Sequence, residues 1–301
     1  MKKIWIFLWI VCCALYSSCS LLEVEPVSTI TSQSFWKNSG DAKAYLTGIY
    51  NKVRALNNTS LYGEDRGDAF KVGEIGPSTN AWAQNLLENN APSYRDAYNI
   101  IHHTNLLLYK IDGLSFTNEA DKNRIKAETY YLRAQTYFFL VRIWGDAPIL
   151  LDPVLSDKIE LKPRSPKEEV MKQVLSDIEQ SLSLFPEEGF VNKNYSSKPA
   201  AYALKADALL WKAKVLNGGD SDLNEAVNAI NEVEKSGVEL LPEYASVFNN
   251  ANKRNAEIIF SLYFERYETG NLSIATNTTS RTDNLSMAVN LDEAATSPNQ
   301  S

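Results

Sequence analysis

The chain has 301 residues, of which 44% are hydrophobic, with 6 Trp, 15 Tyr and 11 Phe and a net charge of −7. That is enough apolar material for one large folded domain or two small ones around a sizeable core. The acidic balance argues against nucleic acid as a partner, because a phosphate backbone demands a basic surface, and the 2 histidines, adjacent as His102 and His103, leave little material for a metal site or an imidazole base.

Residues 1–18 read as a signal peptide: Lys2 and Lys3 form the positive end, an apolar run covers 4–16, and Ser17 and Ser18 precede Cys19. The run is too short to cross a bilayer, which takes ~20 residues. Two small residues before a cysteine resemble a bacterial lipobox, with Tyr16 where the usual pattern has Leu and Leu15 one place further out. Cys19 is therefore the expected lipidation site; ordinary cleavage without a lipid is the alternative. Cys12, Cys13 and Cys19 are the 3 cysteines of the chain, so the processed protein keeps one thiol and has no disulfide and no cysteine-based zinc site.

The mature chain then reads as helices. Asp41 opens the first, whose Ala42, Tyr45, Leu46, Ile49, Tyr50 and Val53 follow the spacing of one apolar face. Residues 57–92 are rich in Gly, Pro, Asn and Ser, a long connection that a compact domain keeps only for a purpose. A second helix spans about 93–111, with Ala97, Ile100, Ile101, Thr104, Leu107 and Leu108 inward. The third, from Asn118 to Trp144, is the organising element. Ile125, Leu132, Phe139 and Ile143 recur along it, while the Tyr130–Tyr131 and Tyr137–Phe138–Phe139 clusters cannot share one stripe, so it packs on more than one side. Ala127 and Ala134 permit close helix approach. Gly145 suits a left-handed stop and Pro148 forbids continuation. Ser165-Pro166-Lys167-Glu168 has the pattern of a capping box opening a fourth helix. A fifth begins after Ser196-Ser197, is rich in alanine, and stops at Gly218-Gly219; a sixth spans about 223–236. Residues 257–264, EIIFSLYF, are the one convincing strand. The polar stretch after Gly270 ends in residues expected to be poorly ordered.

Arg133-Ala134, Tyr137-Phe138 and Arg142-Ile143-Trp144-Gly145-Asp146-Ala147-Pro148 together resemble the central signature of the SusD/RagB family, outer-membrane nutrient-binding lipoproteins of Bacteroidetes. Asn105 before paired leucines fits the same pattern. The resemblance runs up to about Phe264, and because family members continue far beyond this point, it implies the N-terminal part of such a protein. It implies a mainly α fold of tetratricopeptide-like stacked helix pairs with loop-rich insertions and few short strands, although no clean 34-residue repeat is visible. The expected organisation is a signal peptide over 1–18, a lipid-anchored tether over 19–34, a helical domain over 35–270 and a polar end over 271–301. The family further implies a TonB-dependent (SusC-like) transporter as partner, attachment to the outer membrane through the lipid, and a nutrient ligand bound without cofactor.

The loop-rich segment holds the candidate ligand-binding residues Tyr62, Arg66, Asp68, Asn80, Trp82 and Asn85. A sugar ring presents an apolar face, on which a flat aromatic stacks, and hydroxyl edges, which Asn, Asp and Arg bind. The spacing of Arg66, Trp82 and Asn85 resembles that of glycan contacts in the starch-binding family member. The alternative is that Trp82 lies under the loop as core and Arg66 pairs with Asp65 or Asp68. Trp144, Gly145 and Asp146 read as structural; Trp36 with Phe35 as an anchor for the start of the fold; Trp211 as core. Tyr263 and Tyr267 stand at the strand end, as half-buried strand residues or as contacts to a ligand edge. No GxSxG, HExxH or phosphate-binding Gly-rich loop occurs, so the expected activity is binding of an oligosaccharide rather than catalysis. A peptide ligand, a glycosidase and a scaffold with protein partners alone are the other readings.

Overall fold

The computed structural model describes residues 35–56, 63, 66, 67, 80–156 and 161–264. The leader, Cys19, the tether and the polar end fall outside these residues, as do Tyr62, Asp65, Asp68 and Tyr267. Of the first of two compact units, Met1–Lys37, only 35–37 are described. There Phe35 and Trp36 stack edge to face with centroids 5.0 Å apart.

In the second unit, Asn38–Ser301, the described residues form a stack of six long helices: α1 Ser39–Leu56, α2 Arg95–Ile111, α3 Glu119–Trp144, α4 Lys167–Leu184, α5 Lys198–Val215 and α6 Asp220–Glu234. A short helix, α7 Tyr244–Val247, and a 3-10 turn, Asn250–Asn252, follow. Each long helix stands where the apolar period predicts it. Asn38 caps α1 reciprocally with Asp41: the Asn38 side chain accepts from Gly40 N–H, and Asp41 accepts from Asn38 N–H. The predicted inner face of α1 is buried at Ala42, Leu46, Ile49, Tyr50 and Val53.

α3 is the hub. It packs on α1, α2 and α4 and touches α5, and its buried residues run around its circumference rather than along one stripe. Phe139 and Ile143 are only half-buried, and Tyr131, Tyr137 and Phe138 take the interior instead. Ala127 does admit a close neighbour: Ser181 of α4 donates to its carbonyl at 2.8 Å. Ala206 and Leu209 of α5 meet Ala226 and Ala229 of α6 in the same manner, small residues at a crossing. Trp211 is half-buried, edge-on to Phe138 at 6.1 Å.

Two local expectations are corrected. Ser165 does not cap α4. Its N–H and C=O are both spent on a bridge with Ala147, and Asp146 caps the helix from a distance by accepting from Lys167 N–H at 2.9 Å. Thus Gly145, at φ 70°, ends α3 and the next residue starts α4. Residues 257–264 do not form a strand: Glu257 lies in a turn, Ile259 in a bend, and the rest is irregular. A ladder needs a parallel or antiparallel neighbour, and among the described residues this segment has one bond of that kind, Ser261 N–H to Lys193 C=O. The described β content is two isolated bridges, Asn38 with Ser115 and Ala147 with Ser165.

A buried polar network ties α2, α3 and α4 together. Arg133 of α3 donates to both oxygens of Asp177 on α4, at 2.8 and 2.6 Å, and to the Asn105 side chain of α2 at 2.8 Å. Asn105 in turn donates to Leu150 C=O, which Tyr137 also bonds, so the chain leaving α3 is tied down from two helices. Burial alone would lower the Arg133 guanidinium, but its bonds to Asp177 outweigh this and raise it. Burial pushes the Asp177 carboxyl up against the same bonds. The fork geometry is that of an ionised pair.

Candidate ligand-binding site

The stretch 80–90 folds into a compact double turn closed by its own amides. Asn85 N–H bonds Asn80 C=O at 2.9 Å and Gln84 N–H bonds Ala81 C=O at 3.2 Å. Asn90 donates to Asn85 C=O and accepts from Leu87 N–H. Ala81 is buried and plugs the turn onto the body. The Gln84 backbone sits in the left-handed region at φ 55°, which directs its side-chain amide onto the carbonyls of Ala81 and Arg66. That second bond joins the turn to the Arg66 segment.

Of the six predicted residues, four are described. Asn80, Trp82 and Asn85 share the double turn, and Gln84 holds Arg66 beside it. All four are exposed. Trp82 is 39% exposed, so it is not core under the loop, and Leu86 and Leu87 on the same turn are 38% and 56% exposed. A flat apolar patch rimmed by amides is the chemistry that a sugar face and its hydroxyls require. Gln84 and Asn90, which build the turn, carried no signal in the sequence beyond the amide-rich composition of the loop.

The other candidates have structural tasks. Trp144 packs edge-on to Phe139 and Tyr94, and Asp146 caps α4. His103 Nδ1 pairs with the Tyr45 hydroxyl at 2.5 Å and His102 Nδ1 accepts from Val154 N–H at 3.2 Å. Burial, with help from Lys52 and His102, pulls His103 down to about 4, so it is neutral at neutral pH. Tyr263 is 41% exposed, and its carbonyl accepts from Arg54.

Two cavities, each of about 380 Å³, open where α1 meets the chain between α4 and α5. The first has mixed charge: Lys43 and Arg124 face Asp121, Glu128 and Glu187. Arg124 donates to Asp121 and, bidentately, to Glu187. Glu128 is buried and accepts from the Tyr50 hydroxyl at 2.7 Å. Burial raises its carboxyl to about 7 despite that bond and the nearby Arg124. The second cavity is lined by Arg54 and Arg254 with tyrosines and asparagines and, among the described residues, by no carboxylate. Among the described residues no group of three or more His, Cys, Asp and Glu is placed to hold a metal ion.

The described residues form a stack of helices with an exposed tryptophan and two polar clefts at its loops. Comparison with known proteins narrows this to a family. Residues 22–210 match the SusD-like family described as "Starch-binding associating with outer membrane". SusD-like protein P25 of Formosa agariphila is 28% identical over 286 residues, covering 87% of this chain and 51% of that one. Protein P38 of the same organism is 31% identical over 222 residues, covering 69% and 41%. Among solved structures, NanU of B. fragilis superposes with a TM-score of 0.69 at 30% identity over 81% of this chain and 51% of that one. A SusD superfamily protein of Bacteroides fragilis superposes with a TM-score of 0.70 at 30% identity over 79% and 51%. The chain belongs to the SusD-like family. It spans about half the length of the curated relatives it matches.

Proposed function

We propose that this chain is the body of a lipid-anchored, surface-exposed outer-membrane protein that binds oligosaccharide nutrients and delivers them unchanged to a TonB-dependent, SusC-like transporter. The observation that carries the ligand assignment is Trp82, exposed on a turn locked by amides, with Asn80, Asn85 and the Arg66 segment around it. The family's description as starch-binding and outer-membrane-associating supports the same reading. Cys19 is the acylation site in this scheme; several acyl chains at ~0.8 kcal/mol per buried methylene hold a protein durably where one chain does not. Tyr62 and Asp68 complete the ligand set from the same loop. A long glycan engages such a platform with several weak contacts at once, which raises its local concentration at the membrane.

The test is affinity electrophoresis through gels containing starch or other polysaccharides, with Trp82→Ala as control. The expected result is retardation of the native protein, loss of retardation in the variant, and no release of reducing sugar. Turnover that vanishes with a single carboxylate substitution would show an enzyme instead. Retention of peptides but of no glycan would move the ligand class.

A further inference from the structure

We infer that the second cavity is a distinct subsite for the carboxylate of an acidic sugar, a uronic acid residue within the glycan. This rests on the glycan-binding reading above and specifies the ligand class.

The cavity lies between the end of α1, the 192–195 stretch and the 254–263 stretch. A chain of net charge −7 places two arginines, Arg54 and Arg254, in its wall and, among the described residues, no acid. Neither guanidinium has a carboxylate partner among the described residues, whereas Arg124, Arg133 and Arg142 each have one. Arg54 is held rigidly: one terminal nitrogen donates to Tyr263 C=O at 2.8 Å and the other to Asn51 at 2.9 Å. Its Nε is buried and has no partner, and the same is true of Asn194 Oδ1 in the same wall.

Arg254 is presented deliberately. Its backbone is in the left-handed region at φ 61°, a conformation that an arginine adopts at a cost. The surrounding loop enforces it. Asn255, itself buried, donates to the carbonyls of Val247 and Asn252 and accepts from Glu257 N–H. The Lys193 ammonium donates to Asn255 C=O at 2.7 Å. The remaining wall suits a pyranose. Tyr195 and Tyr263, each 41% exposed, add aromatic surface, with the Lys253 ammonium 6.0 Å from the centre of the Tyr263 ring, and Asn192 and Asn194 offer amides for hydroxyls. The volume lies in the range of small-molecule sites, ~300–1,000 Å³. Two arginines, two exposed tyrosines and two asparagines around one such cavity, with no carboxylate among its described lining, favour a ring that bears a carboxylate. The first cavity, with its own three carboxylates, would repel the same group.

The experiment is calorimetric titration of the chain with trimers of galacturonate, glucuronate and mannuronate and with the methyl ester of each, which keeps the stereochemistry and removes the charge. Expected is a preference of about tenfold or more for at least one free acid over its ester, as charge-assisted hydrogen bonds give, weakening as salt is added. Arg254→Gly should abolish that preference while leaving thermal stability equal or higher, because glycine accepts the left-handed backbone. Arg254→Lys should keep part of it. Equal binding of acid and ester, or a preference untouched by Arg254→Gly, overturns the subsite. If neutral glycans still bind in a Trp82-dependent way in that case, the platform stands and only the subsite falls. If no glycan of either kind binds, both fall.

Discussion

The interior around α3 and the double turn at 80–90 are both held by hydrogen bonds, but of opposite reach. Arg133 and Asp177 are 44 residues apart and Tyr50 and Glu128 are 78 apart. Within the turn, partners lie three to five residues away, as in Asn90 to Asn85, and the longest tie is Gln84 to Arg66. The interior therefore fixes how helices stack and cannot be changed piecemeal. The turn fixes only itself, so its exposed Trp82 and amides can be exchanged without disturbing the stack. In the function proposed above, recognition sits on the part whose failure costs the fold least.

The sharpest way to break this contrast is Asp177→Ala. It leaves the Arg133 guanidinium buried without its counter-charge, which costs ~3–5 kcal/mol; urea titration should show a loss of that order. Glu128→Gln sharpens it from the other side, because here the interior holds a carboxyl against its own preference. The folded pKa, about 7, lies above the ordinary 4.5, so the fold favours the protonated form. That stability is complete below about pH 4.5 and is lost as pH rises through 7. The glutamine variant keeps an acceptor for the Tyr50 hydroxyl. It should be more stable than the native chain by on the order of 3 kcal/mol at pH 8, with the gap closing by pH 4.5. Trp82→Ala should leave stability within ~0.5 kcal/mol and weaken glycan binding about 10- to 100-fold, the worth of burying one aromatic face. Smallest is Asp146→Ala, which removes the remote cap of α4 and should lower stability by ~1 kcal/mol.

The helices were legible because apolar period and end signals are local. Gly145 at the end of α3 and Ser197, which caps α5 through Ala200 N–H, act where their residue types predict. What failed were local patterns overruled by distant partners. Ser165-Pro166-Lys167-Glu168 has the letters of a capping box, yet Ala147 claims Ser165 and Asp146 takes the cap. EIIFSLYF has strand composition, but a strand is defined by its neighbour. On the site, an aromatic among amides in a long loop announced Trp82 and Asn85. The Gln84 clamp was invisible because it depends on a left-handed backbone rather than on residue type. Arg54 reaches Tyr263 across 209 residues, so nothing short of the fold could place Arg54 near Arg254.

The closure of the α3–α4 connection has a practical side. Ala147 and Ser165 bridge its two ends, and Asp146 and Lys167 clasp it once more just outside. Its first half is sewn to the body at Leu150, Asp152 and Val154. Extra residues spliced in after position 156 hang from a shut neck, and doubling a loop's length costs only ~0.6 kcal/mol. A reporter peptide or a dye-bearing insert can be carried here with little disturbance to either cavity or to the turn that bears Trp82.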